Sequence, residues 1–194
     1  MKKKVTLKDG TEILIRPLTE GDLQKSLDFF RALPEKDRKY LRRDVTKKFV
    51  VEQRIHELKL KKARRLVALH GDKIVADGTL ELEGHEWKGH VGELRLIVDH
   101  GYRHKGLGMI MARELYFLAL SLNLEQILAK MMKPQIAAHS IFEKLGFKEE
   151  FTFHNYVKDI AGFKQDLIVM RCDLKSMWRE LTHYIEEGDW QRTR

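Results

Sequence analysis

With 194 residues, of which 43% are hydrophobic and 34% charged, the chain is long enough to bury one proper core and too apolar for a disordered polyelectrolyte. No apolar run approaches the roughly 18 residues of a membrane span, and the basic start Met1 to Lys4 has no apolar stretch behind it, so neither a membrane anchor nor a secretory signal is expected. The formal charge of +8 invites a polyanion, and the single cysteine, Cys172, excludes an internal disulfide framework and fits a reducing, cytoplasmic setting.

Val5 to Arg16 reads as a hairpin, with Asp9-Gly10 at its turn and Pro17 ending the second strand. Thr19 and Asp22 then have the spacing of a short capping box, ahead of an apolar helix face made by Leu23, Leu27 and Phe30 and stopped at Pro34. Residues 35–62 are strongly charged with sparse apolar positions, which predicts one or two amphipathic helices. The basic clusters Lys36 to Lys48 and Lys59 to Arg65 are broken by acids and apolar residues, as solvated helix faces are, which argues against nucleic acid as a partner. Strands are predicted at Arg64 to His70, at Lys73 to Glu83, and in a central segment ending at Val98.

The stretch from Leu94 to Gly108 changes period. An apolar strand runs into a basic, glycine-bearing turn, and from Leu107 the apolar residues Ile110, Met111, Leu115, Leu118 and Leu122 recur at helical spacing. A strand, a tight turn and a helix N-terminus make an anion cradle, because the first N–H groups of a helix have no intrahelical acceptor and its dipole favours negative charge there. A Walker loop is excluded, since Leu107 and Gly108 stand where Lys and Ser/Thr are required; a dinucleotide turn is excluded by Met111 at its third glycine. A short strand at Gln126 to Met131 must lie parallel to the central strand, because the helix between them is a crossover. Pro134 opens another helix ended by Gly146, and Phe147 to Val157 with Asp166 to Cys172 closes the sheet as a hairpin. Leu174, Met177, Trp178, Leu181 and Ile185 then form a helical stripe expected to pack on the domain surface or against a second copy of the chain, as in a homodimer.

The motif that fits is Arg/Gln-x-x-Gly-x-Gly, here Arg103, His104, Lys105, Gly106, Leu107 and Gly108. It resembles the pyrophosphate-binding motif of the GNAT superfamily of acyl-CoA-dependent N-acetyltransferases. The element order, the opening Ile13 to Leu18 and the helix end Ile141 to Phe147 are similar to that superfamily as well. Thr6 to Thr11, Tyr40 to Arg43 and Gly92 to Val98 resemble more closely the acetyltransferase domain of bacterial Pat-type protein lysine acetyltransferases.

The resemblance implies an α+β fold. Its central mixed, mostly antiparallel sheet would be flanked by helices, with a parallel crossover at the cofactor site and an extra C-terminal helix. Residues 1–174 would form the acetyltransferase domain and residues 175–194 a helical extension. It implies acetyl-CoA as co-substrate, with residues 103–108 on the pyrophosphate and the backbone of Leu96, Ile97 and Val98 free to pair with the pantetheine arm. A backbone N–H near Val98 would serve the oxyanion. Glu93 maps onto the general base of the Pat group. Gln135 stands where the family often has asparagine, and Phe142 where it often has the tyrosine that protonates the departing thiolate; His139, Ser140 and Tyr156 are the substitutes to weigh. The expected reaction is direct attack of an amine, a protein lysine or a small amine, on the thioester. The alternatives are a non-catalytic acyl-CoA sensor or a basic nucleic-acid-associated module. No metal is expected: His85 to His90 misses the His-Glu-x-x-His zinc spacing by one residue. Cys172 has no evident base beside it and is expected to be a buried thiol.

Overall fold

The computed structural model describes residues 2–82 and 86–186. Strands β1 (Lys3–Thr6) and β2 (Glu12–Pro17) form the expected hairpin, followed by α1 (Leu23–Ala32), a single turn α2 (Glu35–Arg38) and α3 (Lys48–Lys59). The meander β3 (Ala63–His70), β4 (Lys73–Leu82) and β5 (Val91–Val98) leads into α4 (Leu107–Ser121), β6 (Gln126–Met132) and α5 (Ile136–Lys144). A hairpin of β7 (Lys148–Lys158) and β8 (Lys164–Asp173) precedes α6 (Leu174–Glu186). No described helix is long and apolar enough to cross a membrane.

The strands make one eight-stranded sheet in the order β1-β2-β3-β4-β5-β6-β8-β7. Every pairing is antiparallel except β5 with β6, where the α4 crossover imposes the parallel direction. Period-two alternation sends Leu66, Ala68, Leu80 and Leu94 to one face, against Leu107, Ile110, Met111 and Leu115 of α4. Val67, Leu69 and Ile74 go to the other face, against Leu27 and Phe30 of α1 and Val51 and Ile55 of α3. Both faces of the central strands are therefore covered.

Asp22 anchors the entry to α1. Its carboxylate accepts from Arg16 Nη1 and Nη2, both at 2.7 Å, and from the Thr19 N–H at 2.9 Å and hydroxyl at 2.7 Å. The Arg16 guanidinium, and after it the Thr19 donors, hold the buried Asp22 carboxyl well below its ordinary value. The C-terminal stripe joins the main core: Leu174, Met177 and Leu181 are buried in it, and Trp178 stacks on Tyr116 of α4 at 5.5 Å. The side chain of Ile185, assigned to the same stripe, lies outside the described residues.

Candidate active site

β5 and β6 part company. Val91, Gly92 and Glu93 pair with Gln126, Ile127 and Leu128, and no described strand pairs with β5 on that edge beyond Glu93, while β6 continues along β8 to Met132. Asp99 donates its N–H to Val75 of β4 at 2.9 Å, so by alternation the peptide groups of Val98, Leu96 and Leu94 point toward the opened edge. The sequence expectation for Leu96 to Val98 divides here. Leu96 and Val98 face the fork with their backbone. The Ile97 backbone turns toward β4, and its side chain lines a cavity on the α3 side of the sheet. The Val98 carbonyl already accepts from Arg103 Nε at 3.0 Å, which leaves its N–H and the peptide groups of Leu96 for a ligand.

The cradle itself is built as the motif requires. Gly106 caps α4 at φ 89°, a left-handed conformation that other residues adopt only under strain. A Cβ at Gly108 would project between Ile141, Leu96 and Val98, meeting each only at about 4 Å, so this glycine keeps open the crevice between the β5 edge and α5. His104 is exposed and also left-handed, at φ 62°. The basic residues of the motif are partly committed. Arg103 pairs with Asp37 of α2 at 2.6 Å, and Lys105 with Asp9 at 2.9 Å, while Lys8 donates its N–H to the Lys105 carbonyl at 3.2 Å. The β1–β2 turn and α2 thus brace the loop from two sides. An unblocked helix N-terminus, an unpaired strand edge and an open crevice between them fit an extended, pyrophosphate-bearing cofactor.

Glu93 occupies the last paired rung, at the apex of the fork. Its side chain lies on the α3 face and is buried, with only 5% of the residue exposed. Each carboxylate oxygen has a cation: Oε1 accepts from Arg42, and Oε2 lies 2.8 Å from Lys130 Nζ on β6. Its two partners line a cavity of about 290 Å³, so Glu93 stands one side chain behind the wall; Leu96, Gln135 and Phe142 line the cofactor side and Arg42, Lys130 and Arg95 the other.

Gln135 spends its Oε1 on the Met132 N–H at 2.8 Å and fixes the start of α5. Phe142 is buried edge-to-face on Phe147 at 5.0 Å and gives the cavity an apolar wall without a proton to donate. None of the substitutes weighed for the missing tyrosine lines this cavity. His139 sits between Glu143 and Glu149, at 3.4 and 3.5 Å, and Tyr156 is exposed on β7. Among the described tyrosines, Tyr40 is the one that does line it. Cys172 lies in the core against α6, where burial pushes its thiol up to about 12. Among the described residues no three His, Cys, Asp or Glu side chains gather as a metal site; His85 lies outside the described residues.

Beside Glu93 lies a charged layer that no sequence motif marks. Arg65 on β3, Asp77, Thr79 and Glu81 on β4, and Arg95 on β5 share one face of the sheet under α3. Arg54 of α3 pairs with Asp77 at 2.8 Å, and Arg65 with Glu57 at 2.6 Å and the Thr79 hydroxyl at 2.8 Å. Arg95 pairs with Glu81, which Arg42 also approaches at 3.8 Å. Burial first, and then the guanidinium groups of Arg42, Arg54 and Arg65, push Arg95 down to about 9; burial pushes Arg65 down to about 10. The signal in the sequence is the alternation of polar side chains at 77, 79 and 81 and again at 93 and 95, on strands otherwise built for burial.

With this geometry in place, comparison with known proteins gives the family. The model of the acetyltransferase (GNAT) family matches residues 27–147, and the chain belongs to that family, whose members use acetyl-CoA. Its fold is similar to that of an acetyltransferase of the GNAT family from Streptococcus pneumoniae, with a TM-score of 0.72 and 18% identity over 83% of this chain and 99% of that one. It is similar to the GNAT domain of S. lividans PAT, with a TM-score of 0.75 and 14% identity over 89% and 96%. A putative acetyltransferase from Salmonella typhimurium, solved with its cofactor acetyl-CoA, has a TM-score of 0.72 and 16% identity over 84% and 94%. No curated protein sequence matches the chain.

Proposed function

We propose that the protein transfers the acetyl group of acetyl-CoA to a primary amine by direct attack in a ternary complex, with Glu93 as the base and a protein lysine as acceptor. The observation that carries this reading is Glu93 at the apex of the β5–β6 fork, paired with Arg42 and Lys130, which line one cavity together with Leu96, Gln135 and Phe142. The lysine acceptor is supported by the Pat-like stretches of the sequence and by the likeness to the S. lividans PAT domain.

Acetyl-CoA, when bound, supplies an activated thioester. The α4 N-terminus with Gly106 and Gly108 binds the pyrophosphate, and the free peptide groups of Leu96 and the Val98 N–H orient the arm that bears the thioester; the same N–H stabilises the oxyanion. The chain must then remove a proton from an amine whose ordinary pKa is near 10.4. Two features of the cavity act together. The positive field of Arg42, Arg95 and Lys130 disfavours the ammonium form, and Glu93 accepts the proton it releases. For that, the acceptor amine takes the place of Lys130 on Oε2. Phe142 excludes water without protonating the leaving thiolate, which at a pKa of about 8.5 departs without needing an acid.

A second reading, a small amine as acceptor, is favoured by the modest size of the cavity, about 290 Å³, and its charged walls. The protein incubated with acetyl-CoA and, separately, lysine peptides and small amines distinguishes these: acetylated product is expected from one set, while no product from any amine, with cofactor still bound, would leave a sensor.

A further inference from the structure

The cavity beside Glu93 is not electrically balanced. Its walls carry six cationic side chains, Arg42, Arg43, Arg54, Arg65, Arg95 and Lys130, against the three carboxylates of Glu57, Asp77 and Glu81, with Glu93 behind Arg42 and Lys130 as a fourth. Every one of those carboxylates is already engaged. Asp77 is held by Arg54, Glu57 by Arg65 and Arg43, Glu93 by Lys130 and Arg42, and Glu81 is divided between Arg42 and Arg95. Arg95 is the least compensated of the set. It shares its one carboxylate, and its Nε is buried with no hydrogen-bond partner among the described residues; the same is true of the Nε of Arg65. Burying a guanidinium donor without an acceptor is costly, and an arrangement that leaves two unmet beside a cavity is completed by an anion from outside. An ammonium group entering alone would meet an excess of like charge.

We infer that the acceptor carries an oxyanion, a carboxylate or a phosphate, close to its reactive amine, and that the arginine cluster around Arg95 binds that oxyanion while Glu93 takes the amine's proton. The inference rests on the acetyl-transfer reading but not on which molecule bears the amine. A planar guanidinium suits either oxyanion, and the oxyanion can belong to a free amino acid, to a phosphate-bearing amine, or to an acidic residue beside a peptide lysine. Binding it also lowers the repulsion among Arg42, Arg54, Arg65 and Arg95, so the anion and the amine enter as one neutral or negative unit.

Matched acceptor pairs test this with acetyl-CoA and the intact protein: amino acids against their carboxamides, phosphoethanolamine against ethanolamine, and lysine peptides with Glu against Gln beside the lysine. At least one pair should show kcat/KM about 10-fold or more in favour of the charged member, the gain expected of a charge-assisted hydrogen bond, and the pair that shows it identifies the source. Arg95→Gln should flatten that ratio toward unity while keeping the thermal shift with coenzyme A; Arg95→Lys, which keeps charge but loses the fork, should retain part of it. Neutral members acetylated as well as charged ones, across all three pairs, would overturn the inference and leave acetyl transfer standing. No acetylation of any amine would overturn both.

Discussion

Lys130 Nζ lies 2.8 Å from Glu93 Oε2, bridging β6 and β5 just past the rung where the two strands separate. The pair closes the apex of the fork on its α3 side and holds a buried carboxylate in place. Lys130→Met strands Glu93 with Arg42 alone, and the expected loss is about 2 kcal/mol of stability, the usual worth of a hydrogen bond to a charged group. Urea unfolding of Lys130→Met, Glu93→Gln and the double variant measures it: the double variant should be more stable than the sum of the singles predicts, and strict additivity would show that the two groups do not interact.

The cofactor crevice is tested at Gly108 rather than Gly106, because Gly108 is helical and its replacement is not strained. Gly108→Val should fold with a similar melting temperature but lose the stabilisation by coenzyme A. At a ligand concentration 100 times its Kd, the wild type should gain about 2.7 kcal/mol, or roughly 5–10 °C for a chain of this size. A wild-type-sized shift in Gly108→Val would place the cofactor elsewhere.

Asp22 gives a pH dependence with a definite sign. Its folded pKa is depressed, chiefly by Arg16, so its contribution is present above its ordinary value of 3.8 and is lost as pH falls toward the folded value. Asp22→Asn should therefore cost roughly 2–4 kcal/mol at pH 7, since it leaves Arg16 without its charge partner, and the gap to wild type should narrow as the pH drops below about 4. A difference that stays constant from pH 7 to pH 3 would contradict the ion pair.

Helix α6 is part of the fold's core by packing: Met177 and Leu181 are fully buried. We expect Met177→Ala to cost about 2–5 kcal/mol, the range for large-to-small changes in a core. A cost below about 0.5 kcal/mol, read by urea unfolding, would mark α6 as an appendage.

How far these features were legible in the sequence differs by residue. The cradle was legible because it changes hydrophobic period and carries Gly106 where only a left-handed cap fits. The parallel β5–β6 pair followed from the length of the crossover. The fork was not, because Leu94 to Val98 is the same apolar run whether its second edge is paired or bare; separation depends on where β6 and β8 lie. The charged layer escaped for a related reason. Asp77, Thr79, Glu81 and Arg95 alternate with apolar residues as on a solvent-facing sheet, and only the placement of α3, with Arg54 and Glu57, turns that face inward. Which polar side chains reach the cavity was hidden for the same reason: His139, Ser140 and Tyr156 do not line it, whereas Tyr40 comes to it from a loop far from Phe142 in the sequence.

The proposed role of Glu93 as base stands or falls on amine-dependent release of free thiol from acetyl-CoA, compared between wild type and Glu93→Gln. Thiol release is expected only when an acceptor amine is present, with a loss of about 100-fold or more in kcat for Glu93→Gln, which still shows the coenzyme A thermal shift. Equal turnover by the two proteins would contradict it.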